Sequence, residues 1–193
     1  MIPTVSAPEV LTADLTDSVQ LRVLRPEDAA SFCQAQLRSR EQLIPFEPQR
    51  AEQWYDTDFQ AARFAELLER DNVVPWVLVE DGRVIGTATL SNIVLGPWRN
   101  GDVGYWVDVA EVGRGLATAA LSAVCRLADK VLLLHRIAAS TNHDNTRSQR
   151  VLLKCGFEQY GFAPNYLHIN GQWRDSNLYQ RILNDREPGE PPA

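Results

Sequence analysis

The chain lacks the features by which most ligand classes announce themselves. It has three cysteines in 193 residues, Cys33, Cys125 and Cys155, odd in number, widely spaced and never arranged as C-x-x-C. That excludes a disulfide framework and a cysteine zinc site, and reduced thiols are the expected state. His135, His143 and His168 stand apart, without a Ser/Asp partner at a motif spacing, so neither a hydrolase triad nor a metal centre is predicted. Basic side chains are outnumbered, 19 against 25, for a formal net charge of −6. Broad phosphate neutralisation, the basis of nucleic-acid binding, is therefore not expected. No apolar run approaches the ~20 residues that span a bilayer; the longest candidate is V-L-L-L, hemmed in by Lys130 and His135. The N-terminus has no basic stretch followed by an apolar core, so the expectation is no secretory leader, no membrane partner and a cytoplasmic location.

What is present is the make-up of a globular protein, 45% hydrophobic and 23% charged. The length favours one domain. Residues 1–17 mix Pro, Thr, Ser and Asp and read as an arm with little structure, with room for one edge strand. Residues 18–183 form the domain, and the Pro- and Glu-rich residues 184–193 read as a disordered tail. V-Q-L-R-V-L at 19–24 alternates as a strand does. Pro26 and the acids behind it open a helix to about Arg38. L-I-P-F-E-P-Q-R at 43–50 is a loop on account of its prolines. A helix from about 51 to 70 carries Tyr55 and Phe59 on one side and Phe64, Leu67 and Leu68 on another, which predicts a bend or break. Asp81-Gly82 between two strand-like runs predicts a hairpin over 75–90. A strand at 101–108, an amphipathic helix from 116 and a strand at 135–141 follow. Asp144 or Asn145 caps the next helix, which Gly156 ends. Strands at 157–162 and 173–182, joined by a long connection, complete an α/β (α+β) sandwich with helices on both faces of a mixed sheet.

The most informative stretch is V-G-R-G-L-A-T at 112–118, after the strand-like G-Y-W-V-D-V-A. The strand breaks at Gly113 and Gly115, and an alanine-rich helix begins at once. Such a junction presents free N–H groups at the positive end of a helix dipole, which suits a phosphate. The glycines allow the backbone to approach a bulky ligand. A Rossmann fingerprint would follow the first strand and carry a third glycine; here the glycines come after four strands and number two. G-x-x-x-x-G-K-S/T is absent. On the glycines alone, a strand–turn–helix without any ligand stays open.

From about residue 19 to 182 the chain resembles the GNAT superfamily of N-acetyltransferases. Gly115 and Ala117 match the last positions of that family's pyrophosphate loop, Q/R-x-x-G-x-G/A, while Val112 replaces its usual Gln or Arg. H-D-N-T-R-S-Q-R-V-L-L-K-C-G-F-E at 143–158 is similar to the family's N-x-x-S motif with its later Gly-Phe. L-I-P-F-E-P at 43–48, G-Y-W-V-D at 104–108 and N-Y-L-H-I-N-G-Q-W-R-D at 165–175 resemble the RimJ/RimL group of ribosomal-protein-alanine N-acetyltransferases, the last being nearest to RimJ. The resemblance implies a mostly antiparallel twisted sheet of six or seven strands and acetyl-CoA as acetyl donor. It implies an acceptor that is a protein N-terminus, of a basic ribosomal protein beginning with Ala or Ser, and a monomer or dimer. A small-molecule amine as acceptor, or a CoA-binding sensor without turnover, are the alternatives.

The same resemblance implies the site residues. Val107, Asp108 and Val109 lie where a splayed strand offers backbone N–H groups to the acyl carbonyl. Gly113, Arg114, Gly115, Leu116, Ala117 and Thr118 form the phosphate loop. Asn145 meets the pantetheine arm, Arg147 the phosphates, and Ser148 the thioester sulfur; Ser148 otherwise serves its helix N-terminus. Tyr166 is a second candidate proton donor. An α-amine titrates about 2.5 units below a lysine, a difference of roughly 3.4 kcal/mol in reaching the neutral nucleophile. Glu47 is the candidate that orients or deprotonates the amine, against a plain surface or capping contact. Some relatives carry a catalytic glutamate before the last strand, but no acid stands near Leu167.

Overall fold

Sheet registers in the computed structural model, which describes residues 8–188 and 190, follow from where the chain alternates and where it turns. V-Q-L-R-V forms a strand, Val19–Val23 (β2), with Val19, Leu21 and Val23 buried. It pairs with Ala13–Asp14 (β1) on one side and Val74–Glu80 (β3) on the other. β3 is buried along most of its length, as a central strand with cover on both faces should be. Asp81 (φ 50°) and Gly82 (φ 75°) make the tight turn into Arg83–Val94 (β4), the primed geometry that Asp-Gly favours. Asn100–Val107 (β5), Arg136–Asn142 (β6), Glu158–Ile169 (β7) and Gln172–Ile182 (β8) complete the sheet. The order is β1-β2-β3-β4-β5-β6-β8-β7, antiparallel except between β5 and β6. Eight strands replace the six or seven expected.

Four helices cover the sheet: Ala29–Leu43 (α1), Thr57–Leu68 (α2), Leu116–Lys130 (α3) and Thr146–Lys154 (α4). Successive strand residues point to opposite faces, and the two cores divide accordingly. Trp76, Leu78 and Ile85 pack with Leu116, Ala120, Leu121 and Val124 of α3 and Leu152 of α4. Val77 and Val84 pack with Phe32 of α1 and Phe64 of α2. Phe32 stands edge-on to Phe64 at 5.2 Å and to Trp106 at 5.9 Å.

Several boundaries move from expectation for local reasons. Asp28 is gripped by Arg22 at 2.7 and 2.8 Å and accepts the Arg25 N–H at 2.8 Å. It thereby holds residues 26–28 as a separate 3-10 turn, and α1 runs on to Leu43. The helix expected over 51–70 divides at Asp56, whose extended backbone and side-chain bond to the Phe59 N–H at 2.8 Å cap α2; this is the break that its two apolar sides predict. The long connection expected between the last strands is strand instead. β7 and β8 meet at Asn170 (φ 46°) and Gly171 (φ 81°), an Asn-Gly turn signal that the sequence contained. Residues 8–14 are more than an arm: Leu11 is fully buried, and its carbonyl accepts the Trp76 indole N–H at 2.7 Å. The tail also begins ordered, Asn184 and Arg186 donating to Asp129 at 2.7 and 2.6 Å. Residues 1–7, 189 and 191–193, parts of the expected arm and tail, lie outside the described residues.

Gly86 fixes the approach of β5. A Cβ there would stand 2.6 Å from the Trp106 carbonyl oxygen, so only glycine allows β4 and β5 to lie at this spacing. β5 is the strand from which the candidate site is built.

Candidate active site

β5 and β6 pair in parallel at three positions only, Asn100 with Arg136 through Asp102 with Ala138. Beyond them the strands part, β6 continuing beside β8. β5 stays on β4, Gly86 opposite Val107. The Asp108 N–H donates to Ile85 O at 2.9 Å. Antiparallel strands alternate bonded and unbonded pairs, so the polar backbone groups of Val107 and Tyr105 face away from β4, into the opening.

The expected trio Val107, Asp108 and Val109 is therefore reduced. Only Val107 offers its N–H to the opening. The Val109 N–H donates to Ser39 Oγ at 3.0 Å. The Asp108 side chain, 1% exposed, accepts from Arg38 at 2.6 and 3.0 Å, from Ser39 Oγ at 3.3 Å and from the Ala110 N–H at 3.1 Å. Asp108 is a structural tie between β5 and α1, not a group available to a cofactor.

The glycine junction has the form expected of it. Gly113 (φ 93°) and Gly115 (φ 76°) are left-handed, and a Cβ on either would meet nothing within 4 Å. The protein itself thus leaves the space over the loop open, and the backbone conformation is what favours glycine. Gly115 caps α3 without a side-chain bond. The Ala119 N–H donates to Gly115 O at 3.0 Å as the helix opens, and the N–H groups of Leu116, Ala117 and Thr118 before it have no partner in the helix. The Leu116 side chain is 2% exposed and belongs to the core, leaving its backbone as the group it can offer. Arg114 departs from expectation. Its guanidinium is held by Glu80 at 2.8 and 2.9 Å and by Glu111, and Arg114 with Ser18 holds the Glu80 carboxyl down to about 2. That side chain is committed to carboxylates. Arg147, on the exposed first turn of α4, has no ion-pair partner among the described residues.

Asn145 caps α4, its Oδ1 accepting the Ser148 N–H at 3.1 Å. Ser148 meets a residue that sequence reasoning passed over. The Tyr105 hydroxyl donates to Ser148 O at 3.2 Å and lies 3.1 Å from Ser148 Oγ. Burial pushes the Tyr105 phenol up to about 12, so it stays neutral near pH 7. The signal was present in G-Y-W-V: alternation places Tyr105 and Val107 on the face opposite Trp106. Tyr166, the candidate from sequence, is 46% exposed and is not brought to Ser148.

On the α1–α2 side a cavity of about 280 Å³ is walled by Gln36, Glu47, Trp54, Arg63, Thr87 and Tyr105 among others. Glu47 and β5 at Tyr105 both border this cavity, while the Tyr105 side chain stands on the other face of β5, packed with the α3 core, and meets Ser148 there. The Glu47 loop is fixed from both ends. Asn170 N–H donates to Glu47 O at 3.0 Å, and Arg50 Nε donates to Glu47 Oε2 at 3.4 Å. Burial raises the Glu47 pKa, and Arg50 and Arg63 oppose the shift. A carboxylate so placed can hold an ammonium or take a proton from it. No group of three or more His, Cys, Asp or Glu suited to a metal occurs among the described residues, and no helix there is long and apolar enough to cross a membrane.

Comparison with known proteins agrees with this architecture. Residues 18–158 match the acetyltransferase (GNAT) domain family. The chain is 32% identical over 179 residues to the ribosomal protein uS5-alanine N-acetyltransferase of Escherichia coli strain K12, covering 90% of this chain and 92% of that one. It superposes with a TM-score of 0.86 on the ribosomal-protein-S5-alanine acetyltransferase of Vibrio fischeri, at 31% identity, covering 92% and 99% of the two chains. It superposes with a TM-score of 0.81 on Mycobacterium smegmatis RimJ in complex with CoA-disulfide, at 32% identity, covering 85% and 81%. A sheet opened between β5 and β6, a left-handed glycine loop at the head of α3 and these likenesses have one conclusion: the chain is an N-acetyltransferase of the GNAT family.

Proposed function

We propose that the protein transfers an acetyl group from acetyl-CoA to the α-amine of a protein N-terminus, that of a ribosomal protein beginning with Ala or Ser. The observation that carries the reading is the opening of β5 from β6, with Glu47 bordering the cavity on the α1–α2 side of β5 and the Tyr105–Ser148 pair on its other face. Relatives named for ribosomal-protein alanine N-termini support the acceptor.

The residues fit the donor. Gly113, Gly115 and the unbonded N–H groups of Leu116, Ala117 and Thr118 would hold its pyrophosphate, with Arg147 at hand and Asn145 for the pantetheine arm. Bound acetyl-CoA supplies a thioester whose acyl carbon accepts an amine and whose sulfur leaves as thiolate. Val107 N–H donates to the acyl oxygen, a fixed dipole that needs no reorganisation. Ser148 Oγ–H donates to the sulfur from the first turn of α4, where the helix dipole also favours negative charge. Tyr105 holds Ser148 in place from behind. Glu47 receives the ammonium, orients it and takes its proton. An α-amine needs no stronger base near neutral pH.

The reading is tested by thiol release with acetyl-CoA and a panel of peptides bearing free or blocked α-amines. Release with free α-amines alone is expected. Release only with small amines such as polyamines would overturn it.

A further inference from the structure

Arg63 is a charge left over. It projects from α2 into the cavity that also holds Glu47 and Arg50. Its Nη1 donates to Gln60 Oε1 at 2.9 Å, and its guanidinium lies 4.5 Å over the Trp54 ring and 5.7 Å from that of Phe64. Arg50 lies 3.7 Å over the same Trp54 ring and takes the carboxylate of Glu47. One carboxylate thus faces two guanidinium groups. Among the described residues, Arg63 has no carboxylate within 4.0 Å, unlike Arg22, Arg38 and Arg114, whose partners are in place. Burial and the charge of Arg50 both act against its protonated form, and Glu47 only partly offsets them.

Such a group is built to receive something. Its stem and plane are fixed by Trp54 and Gln60, so little freedom is lost when the remaining N–H donors are used. A planar guanidinium with donors to spare takes a carboxylate in two parallel bonds. Water would solvate it more cheaply on the surface, whereas here it borders a cavity of about 280 Å³ beside the proposed amine-binding carboxylate.

We infer that the acceptor carries a carboxylate close to its reacting amine, which Arg63 binds while Glu47 holds the amine. The inference rests on the N-terminal acetyltransferase reading and narrows it to acidic acceptors. The carboxylate has two sources, an Asp or Glu side chain in the first residues of a peptide or the C-terminal carboxylate of a very short one.

The test uses the full chain, acetyl-CoA and amidated peptides Ala-Glu-Ala, Ala-Ala-Glu, Ala-Gln-Ala, Ala-Ala-Gln and Ala-Lys-Ala, with the dipeptide Ala-Ala both free and amidated. Glutamate in one of the two positions is expected to lower KM roughly tenfold against glutamine, the size of a charge-assisted pair. A preference for free over amidated Ala-Ala assigns the carboxylate to the C-terminus instead. Arg63→Gln removes the preference, and Arg63→Glu reverses it towards the lysine peptide, a gain that a misfolded variant would not show. Acetyl-CoA-induced thermal stabilisation of both variants checks that they are folded. Equal kcat/KM for all peptides, or a preference unchanged in Arg63→Gln, overturns the inference and leaves N-terminal transfer standing. Transfer to no peptide at all overturns both.

Discussion

Replacing Asp108 with alanine is expected to lower the unfolding free energy by about 2–3 kcal/mol. The sum starts from its bonds. Asp108 accepts the Ala110 N–H as a cap, a contact worth about 1 kcal/mol when removed. It also binds Arg38 at 2.6 and 3.0 Å. Breaking a fully buried pair costs about 3–5 kcal/mol, but the Arg38 side chain is 44% exposed. Water can therefore recover part of that loss, leaving about 1–2 kcal/mol. Ser39 keeps its bond to the Val109 N–H and limits the damage. For a chain of this length each kcal/mol moves Tm by about 2–4 °C, so a fall of about 4–12 °C is expected. Asp108→Asn keeps the shape and an acceptor oxygen and should lose about half as much. Denaturant unfolding with a constant m-value gives the comparison. A loss below about 0.5 kcal/mol for Asp108→Ala, the range of ordinary surface substitutions, would refute the assignment of Asp108 as the tie between β5 and α1.

Gly115→Asp combines a left-handed backbone with a carboxylate beside the proposed phosphate site, and should abolish the thermal stabilisation that CoA gives the wild type; undiminished stabilisation would displace the loop from that role. Ser148→Ala should retain that stabilisation and lose most turnover, about the 10²–10³-fold of a missing transition-state donor, read as kcat against thermal shift. Glu47 should give kcat/KM an acid limb displaced upward from the usual carboxylate value, because burial raises its pKa against the opposing charges of Arg50 and Arg63 and the base form exists only above it. The rate thus climbs as pH rises through that pKa, and Glu47→Gln should flatten the limb; an unchanged profile removes Glu47 from the proton path.

The sheet and the glycine loop were readable because local signals decide them. Alternation in β2, Asp-Gly at 81–82 and the glycines before α3 each act within a few residues. The bond from Asn145 to Ser148 N–H was likewise legible as a cap. What escaped depends on distant partners. Nothing near Arg114 in the sequence says that Glu80, 34 residues away, will occupy it, nor near Asp108 that Arg38 and Ser39 lie beneath. Tyr105 stands in the G-Y-W-V-D motif without a local partner, and its contact with Ser148 spans 43 residues. The cavity charge is of the same kind, being set by a loop, a helix and a hairpin tip that meet only in the fold. The Asn170-Gly171 turn is the exception, a local signal overshadowed by the irregular stretch before it, where β7 and β8 shift register between Ala163 and Leu167.

The proposed reaction places an acetyl group on a peptide α-amine at the opening of β5, with Glu47 on one face of the strand and Tyr105–Ser148 on the other. It is tested most directly by incubating the protein with acetyl-CoA and an alanine-initiated peptide that also contains a lysine, then locating the added mass by fragmentation. Acetyl on the N-terminal alanine, lost with Ser148→Ala, is the predicted result. Acetyl on the lysine side chain instead, or no acetyl peptide at all, would contradict it.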